Sequence, residues 1–145
     1  MLELLGVLAI YAVVAFLLYR RRRKKLRERM DALTHKGSDV TPEEFLKSGL
    51  YREADFTGIY ILHNETKDEY YVGQSVHVLT RVRQHFTGHG NGDIYADWKY
   101  GDKFTITLTK LVDSGYDNLN DLERDAIKAY DAYDKGYNRT GGNAS

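Results

Sequence analysis

Apolar and polar positions follow three different patterns along this chain, and each pattern predicts a different element. Residues 4–19, "LLGVLAIYAVVAFLLY", contain no charged side chain at all, whereas 20–29, "RRRRKKLRER", are almost wholly charged. An unbroken apolar run of this kind predicts a helix that is hydrophobic on every side. Residues 20–33 continue it as a basic helix, and "THKGSDV", 34–40, reads as a linker. Thr41 as N-cap, Pro42 at the first helical position and two glutamates behind it mark a short helix start. Residues 57–63 and 69–73 read as two strands joined by the polar turn "NETKD". In 76–86, Val78, Leu79, Val82 and Phe86 recur at helical spacing, with Ser75 available as N-cap. "TGHGNGD", 87–93, predicts a glycine-rich loop, and "IYADWKY", 94–100, a short helical turn. Strict alternation of Phe104, Ile106 and Leu108 with threonines predicts a half-buried strand over 103–112. Residues 118–133 predict a helix capped by Asn118, followed by a glycine-rich, irregular tail. The order of elements describes a small domain of helices and about three strands, two of them adjacent and antiparallel.

Composition changes this picture in two places. At 145 residues with 42% hydrophobic and 29% charged residues, the chain suits one compact domain. The lack of cysteine excludes a disulfide framework and a thiolate metal site. The net charge of zero conceals an asymmetry: residues 1–35 carry eight Lys/Arg against three Asp/Glu, and 36–145 carry thirteen against eighteen. A globular part that is acidic overall is a poor general phosphate binder.

The apolar run predicts a membrane anchor. At about 1.5 Å per residue it falls slightly short of a ~30 Å hydrocarbon core, a gap that end-residue snorkelling and local thinning cover. A secretory signal has its positive charge before the apolar run, and here the order is reversed. The basic flank therefore predicts a single span with the C-terminal domain on the cytoplasmic side, its basic helix drawn to anionic headgroups. The competing reading is a buried core helix or a helix docked on a protein partner. The expected division is an anchor over 1–19, a basic juxtamembrane helix and linker over 20–40, and a domain over 41–145.

Three positions ask for more than packing. With a hairpin loop of 64–67, Tyr60 lies opposite Tyr71, and Gly58, Tyr60, Tyr71 and Gly73 share one face. Ile59, Ile61, Tyr70 and Val72 form the opposite, core face. Two hydroxyls flanked by bare backbone leave room for a ligand, although a solvated tyrosine pair is equally regular in sheets. Arg81 and His85, four apart, border the apolar stripe of their helix and point toward a groove, or else snorkel at its rim. Glu123 falls within or beside the stripe of Leu119, Ala126, Ile127 and Tyr130, so its carboxylate needs a cation. A divalent metal serves, and so does a salt bridge to Arg81. His63, His77 and His89 read as surface residues.

Taken together, these residues resemble the GIY-YIG endonuclease family. The resemblance runs from about Phe56 to Asn143 and rests on "GIY" at 58–60, "YVG" at 71–73, "GQS" at 73–75, Arg81 and His85, "LERDAI" at 122–127, and "YN" at 137–138. It implies an α+β fold, a small three-stranded antiparallel sheet flanked by helices, here preceded by one transmembrane helix. It also implies hydrolysis of DNA phosphodiesters with one divalent metal, Mg2+ or Mn2+. By resemblance Tyr60 is the general base or water-positioning hydroxyl, and Tyr71 supports the nucleophile. Arg81 stabilises phosphate charge, His85 assists proton transfer, Glu123 is the metal ligand and Asn138 orders the site. Gly58, Gly73, Gln74 and Ser75 are expected at the substrate. The expected function is a membrane-tethered DNA endonuclease, in a chain small enough to suit a phage or prophage origin, whose partners are DNA and, through residues 4–19, a lipid bilayer. Without a separate DNA-recognition domain, tethering is expected to compensate weak intrinsic affinity. The alternative is a catalytically inactive DNA-binding or membrane-interaction module on the same scaffold.

Overall fold

A computed structural model describes residues 1–34 and 39–142. Residues 35–38 of the expected linker and the tail from residue 143 lie outside the described residues. The first element, α1 (Leu2–Thr34), is one continuous helix of 33 residues. Its apolar part is fully exposed, and an 18-residue window in it has a mean hydropathy of 2.3. By length and composition this helix is long and apolar enough to cross a membrane.

The basic half of α1 behaves differently. Leu26, Met30 and Leu33 recur at helical spacing and pack against the domain, with Met30 fully buried. Arg27 lies over the rings of Tyr70 and Tyr130 and bonds Asp31, which in turn accepts the Tyr130 hydroxyl. Arg29 covers Tyr116, and Arg23 pairs with Asp131. Part of the segment expected to be juxtamembrane is thus core of the domain that follows.

Thr41 and Glu44 form the reciprocal capping box that starts α2 (Pro42–Ser48), as the sequence predicts, and Gly49 ends it in the left-handed region. A 3-10 turn (Leu50–Arg52) leads to β1 (Gly58–Asn64), β2 (Glu69–Ser75) and, later, β3 (Phe104–Lys110). All pairings are antiparallel in the order β2-β1-β3. The α+β fold with a three-stranded antiparallel sheet is therefore as expected, with five α-helices among the described residues.

The hairpin register differs from the expected one. Tyr60 lies opposite Gly73, and Tyr71 opposite Leu62. The cause is Asn64: its side chain accepts the Thr66 and Lys67 amides, making it the last paired residue before the turn. The slip is two residues in pairing, so face membership survives. What does not survive is an open tyrosine-glycine face. Ile59, Ile61 and Val72 pack under α1 and α5 (Leu119–Ala129), while Tyr60 and Leu62 pack under α2, α3 (Val78–His85) and α4 (Gly92–Tyr100). Both faces are core.

Helix bounds also differ, and α5 ends at Ala129 where the expected helix ran to 133. α3 begins at Val78, because Ser75 is still in β2 and its hydroxyl accepts the His77 amide. The capping acceptor is Asp55, whose carboxylate takes the Leu79 and Thr80 amides. The expected turn at 94–100 is a nine-residue helix, capped by Asn91 and closed by Gly101. Asn118 caps α5 as expected.

Because Met30 fills the layer between the sheet and α5, Met30→Ala is expected to cost roughly 2–5 kcal/mol. Urea denaturation of the full chain in detergent measures this. A fragment beginning at residue 41 is expected to unfold at markedly lower denaturant than one beginning at residue 20. Equal midpoints would show that α1 is not part of the core.

Candidate active site

The site is built outward from Tyr60. Its ring is 1% exposed and occupies the space that a side chain at Gly73 would fill. A buried phenol needs a partner, and the Tyr60 hydroxyl finds His85 Nε2 at 2.8 Å. His85 is itself fully buried, and its Nδ1 accepts the Asn91 backbone N–H at 2.9 Å. That bond fixes the tautomer: Nδ1 holds the lone pair, so the proton sits on Nε2 and is donated to Tyr60. Gly90 has no side chain because a Cβ there would run into the His85 ring. Burial first, and the Arg81 guanidinium second, push the imidazole down to about 4. His85 is therefore neutral at physiological pH and acts toward Tyr60 as a hydrogen-bond donor. Burial and the neighbouring Tyr71 raise the Tyr60 phenol well above its ordinary value, and Arg81 opposes them.

Tyr71, Arg81, Glu123 and Asn138 line a cleft of about 360 Å³, with Tyr60 and His85 directly behind it. The cleft opens at the free edge of β2, where α3 from one face of the sheet and α5 from the other converge. This explains how Arg81 and Glu123, on opposite faces, come to share one space. The Arg81 Nη1 donates to Gln84 at 2.8 Å, which aims the guanidinium along α3. Glu123 is 8% exposed, and its Oε2 accepts from Gln74 Nε2 at 2.8 Å. Gln74 also donates to Asn120 at 2.7 Å, so it orients the carboxylate and has both amide hydrogens engaged inside the protein.

Asn138 acts as a one-residue strand. Its side-chain oxygen accepts the Val72 N–H at 2.9 Å and its amide donates to the Val72 carbonyl at 2.8 Å. These bonds pair the edge of β2 beside Tyr71. Gly58 and Ser75 lie apart from the cleft lining: the bare Cα of Gly58 admits the Thr109 carbonyl of β3, and Ser75 closes the turn into α3. The glycines expected to admit a substrate thus admit the protein's own atoms.

Sequence reasoning missed several contributors. Gly90, Asn91 and Gly92 form a wall of the cleft, as do Arg139, Thr140 and Tyr137, the last read from the sequence only as part of the "YN" motif. Tyr137 is fixed by Asn64, Asp97 and Asp102 through a polar network: Asn64 donates to Asp102 at 2.7 Å and to the Tyr137 hydroxyl at 2.8 Å, and that hydroxyl donates to Asp97 at 2.5 Å. The "NGD" triplet that closes the expected glycine loop was the available signal, being an N-cap as much as a turn. No group of three or more His, Asp or Glu side chains converges among the described residues. A single carboxylate in a polar cleft fits a hard divalent cation that takes its other ligands from water and phosphate, and Glu123 provides that donor.

The His85 environment predicts a pH dependence. The unfolded imidazole takes its proton near 6.5 and the folded one near 4. As pH falls through this window the unfolded chain protonates first, so stability is full above it and lost within it. The loss through this group is roughly 3 kcal/mol. Denaturation midpoints measured from pH 7 to 4 should fall more steeply for the native chain than for His85→Gln. Parallel curves would contradict a neutral, buried imidazole.

Comparison with known proteins agrees with this geometry. Residues 56–138, more than half of the chain, match the family model of the GIY-YIG catalytic domain. Searches of curated proteins and of solved structures give no match. The matched span starts before β1 and ends on Asn138, and so takes in the cleft lining except Arg139 and Thr140, together with the tyrosine-histidine pair behind it. With those motifs, in that order, on a three-stranded antiparallel sheet, the chain belongs to the GIY-YIG family of nucleases, which hydrolyse phosphodiester bonds in DNA.

Proposed function

We propose that this nuclease is held at a membrane by residues 4–19, works on DNA at the cytoplasmic face and depends on a divalent cation, Mg2+ or Mn2+. One observation carries the catalytic reading: the cleft at the β2 edge gathers a phenol, a guanidinium and a carboxylate around a space open to a phosphodiester. Arg81 meets the phosphate, where its planar fork offsets the negative charge that builds as a nucleophile attacks phosphorus. Glu123, steadied by Gln74, holds the cation. When bound, that cation offsets further charge on the phosphate and favours ionisation of water.

The two tyrosines divide the work on the nucleophile. Tyr71 is the phenol at the cleft surface, and Tyr60 stands behind it, held by the His85 Nε2–H. A water at Tyr71 is positioned by that residue's hydroxyl, and the Tyr60 ring, 6.0 Å behind, is held in place by the bond between its hydroxyl and His85. His85 steadies this oxygen and does not itself carry the proton, since its other nitrogen is occupied. Asn138 keeps Tyr71 in place through the Val72 backbone.

The tether reading is supported by an apolar helical segment with no buried residue and by the Arg20–Lys25 run at its C-terminal flank. A domain that is acidic overall gains from confinement near its substrate.

Supercoiled plasmid incubated with the full chain in detergent tests the reading. Nicking should require Mg2+ or Mn2+ and stop with chelator. Glu123→Ala and Arg81→Ala should each lower the rate by about 10²–10³-fold. Cleavage by Glu123→Ala at the native rate would remove the cation from Glu123. Carbonate extraction of membranes tests the tether separately: the chain should stay in the pellet, and release into the supernatant would exclude the span.

A further inference from the structure

The angle between α1 and α5 forms an open cavity of about 500 Å³ whose lining shares no residue with the cleft described above. Its position is set by the helix: Tyr19 and Arg22, at the end of the apolar run, form its upper wall. Leu26 of α1 and Ile127 of α5 supply an apolar floor, and Lys128 and Asp134 complete the polar wall. Arg23 and Asp131, also in the lining, neutralise each other in an ion pair, and Asp125 accepts the Tyr116 hydroxyl. The side chains of Arg22, Lys128 and Asp134 make no ion pair or hydrogen bond among the described residues. The cavity therefore offers two uncommitted cations beside uncommitted carboxylate charge, above an apolar floor, at the foot of a helix that is apolar on every side.

We propose that this cavity is a binding site for the headgroup of a zwitterionic phospholipid with a primary ammonium, the phosphatidylethanolamine class. The proposal rests on reading residues 4–19 as a membrane span. In that setting Tyr19 lies at the level where aromatic side chains meet headgroups, and a lipid lying along the apolar run brings its phosphate down to Arg22 and Lys128. The charge balance selects the headgroup. A purely anionic lipid would meet two cations but also the Asp134 and Asp125 carboxylates, whereas a phosphate followed by an ammonium finds opposite charges for both ends. A primary ammonium has N–H donors for a carboxylate, which a quaternary ammonium lacks. Acyl chains stay with the exposed apolar face of α1, the glycerol end lies beside Tyr19, and the floor of Leu26 and Ile127 underlies the two carbons that join phosphate to ammonium. The consequence is a domain pinned to the bilayer by a lipid as well as by its helix.

The test uses the full chain in nanodiscs of equal parts phosphatidylethanolamine, phosphatidylglycerol and phosphatidylcholine, with lipids retained after release counted by native mass spectrometry. One phosphatidylethanolamine per chain should be retained, enriched about tenfold over the other two, a difference of ~1.4 kcal/mol. The triple variant Arg22→Ala, Lys128→Ala, Asp134→Ala should lose the enrichment while still nicking plasmid DNA, which shows that it is folded. Enrichment that survives in the triple variant, retention of phosphatidylglycerol instead, or no retained lipid at all would overturn the site. A chain that enters nanodiscs but shows no preference fails here alone, whereas one that does not enter them fails as a membrane protein first.

Discussion

The Tyr60 hydroxyl has no access to water, and much of the site follows from that single constraint. An unpaired buried hydroxyl costs about 1–3 kcal/mol, so a donor must be brought to it inside the core. His85 is that donor, and, being buried too, it needs its own second bond, which the Asn91 amide supplies. Each link demands space: Gly73 yields to the Tyr60 ring and Gly90 to the imidazole. The chain of bonds ties β1, β2, α3 and the loop before α4 to one another, and α3 thereby places Arg81, one turn before His85, at the cleft. The glycines and tyrosines of this motif are thus a packing solution first. Catalytic geometry is what the solution leaves at the surface.

A second constraint acts at the sheet edge. With the order β2-β1-β3, β2 has one unpaired side, and a site beside it would be loose without support. Asn138 pairs the Val72 backbone from that side, and Tyr137, locked by Asn64 and Asp97, keeps the tail against it. Strand alternation then distributes the work. Tyr71 points with α3 to one face, and Gln74 points with α5 to the other, so one short strand positions both the phenol and, through Gln74, the Glu123 carboxylate.

What could be read beforehand follows the range of the interaction involved. Arg81 and His85 share a helix side because four residues make about one turn, and Glu123 stood out because a carboxylate in an apolar stripe needs a reason. The face parity of the hairpin was legible for the same reason, since it depends only on period two. The register was not, because it turned on whether Asn64 ended the strand or began the turn, and its side chain decided that by capping the turn. The purpose of the glycines was hidden as well: a missing Cβ looks the same in sequence whether a ligand or a tyrosine ring fills the space. The Asp55 cap on α3 joins residues more than twenty apart, beyond any local signal. The inward face of α1, by contrast, was visible as Leu26, Met30 and Leu33 and was masked by the density of charge around them.

That charge carries the last step. Of the eight basic residues between Arg20 and Arg29, three have partners among the described residues of the domain: Arg23 on Asp131, Arg27 between two tyrosine rings, and Arg29 on Tyr116. Composition alone assigns the whole run to headgroup attraction, but part of its positive charge is spent in fixing α1 to an acidic domain. The same contacts make the apolar helical segment and the domain one body, because α1 is continuous between them and packs on α5, the helix that bears Glu123. Eleven residues separate Tyr19 from Met30, about 16 Å of helix. If residues 4–19 lie in a bilayer, the domain core therefore sits within roughly its own radius of the surface, in a fixed orientation. A flexible linker would raise only the local concentration of substrate. A rigid strut also limits the directions from which a duplex can enter the cleft, and so turns the tether into a determinant of which DNA is cut.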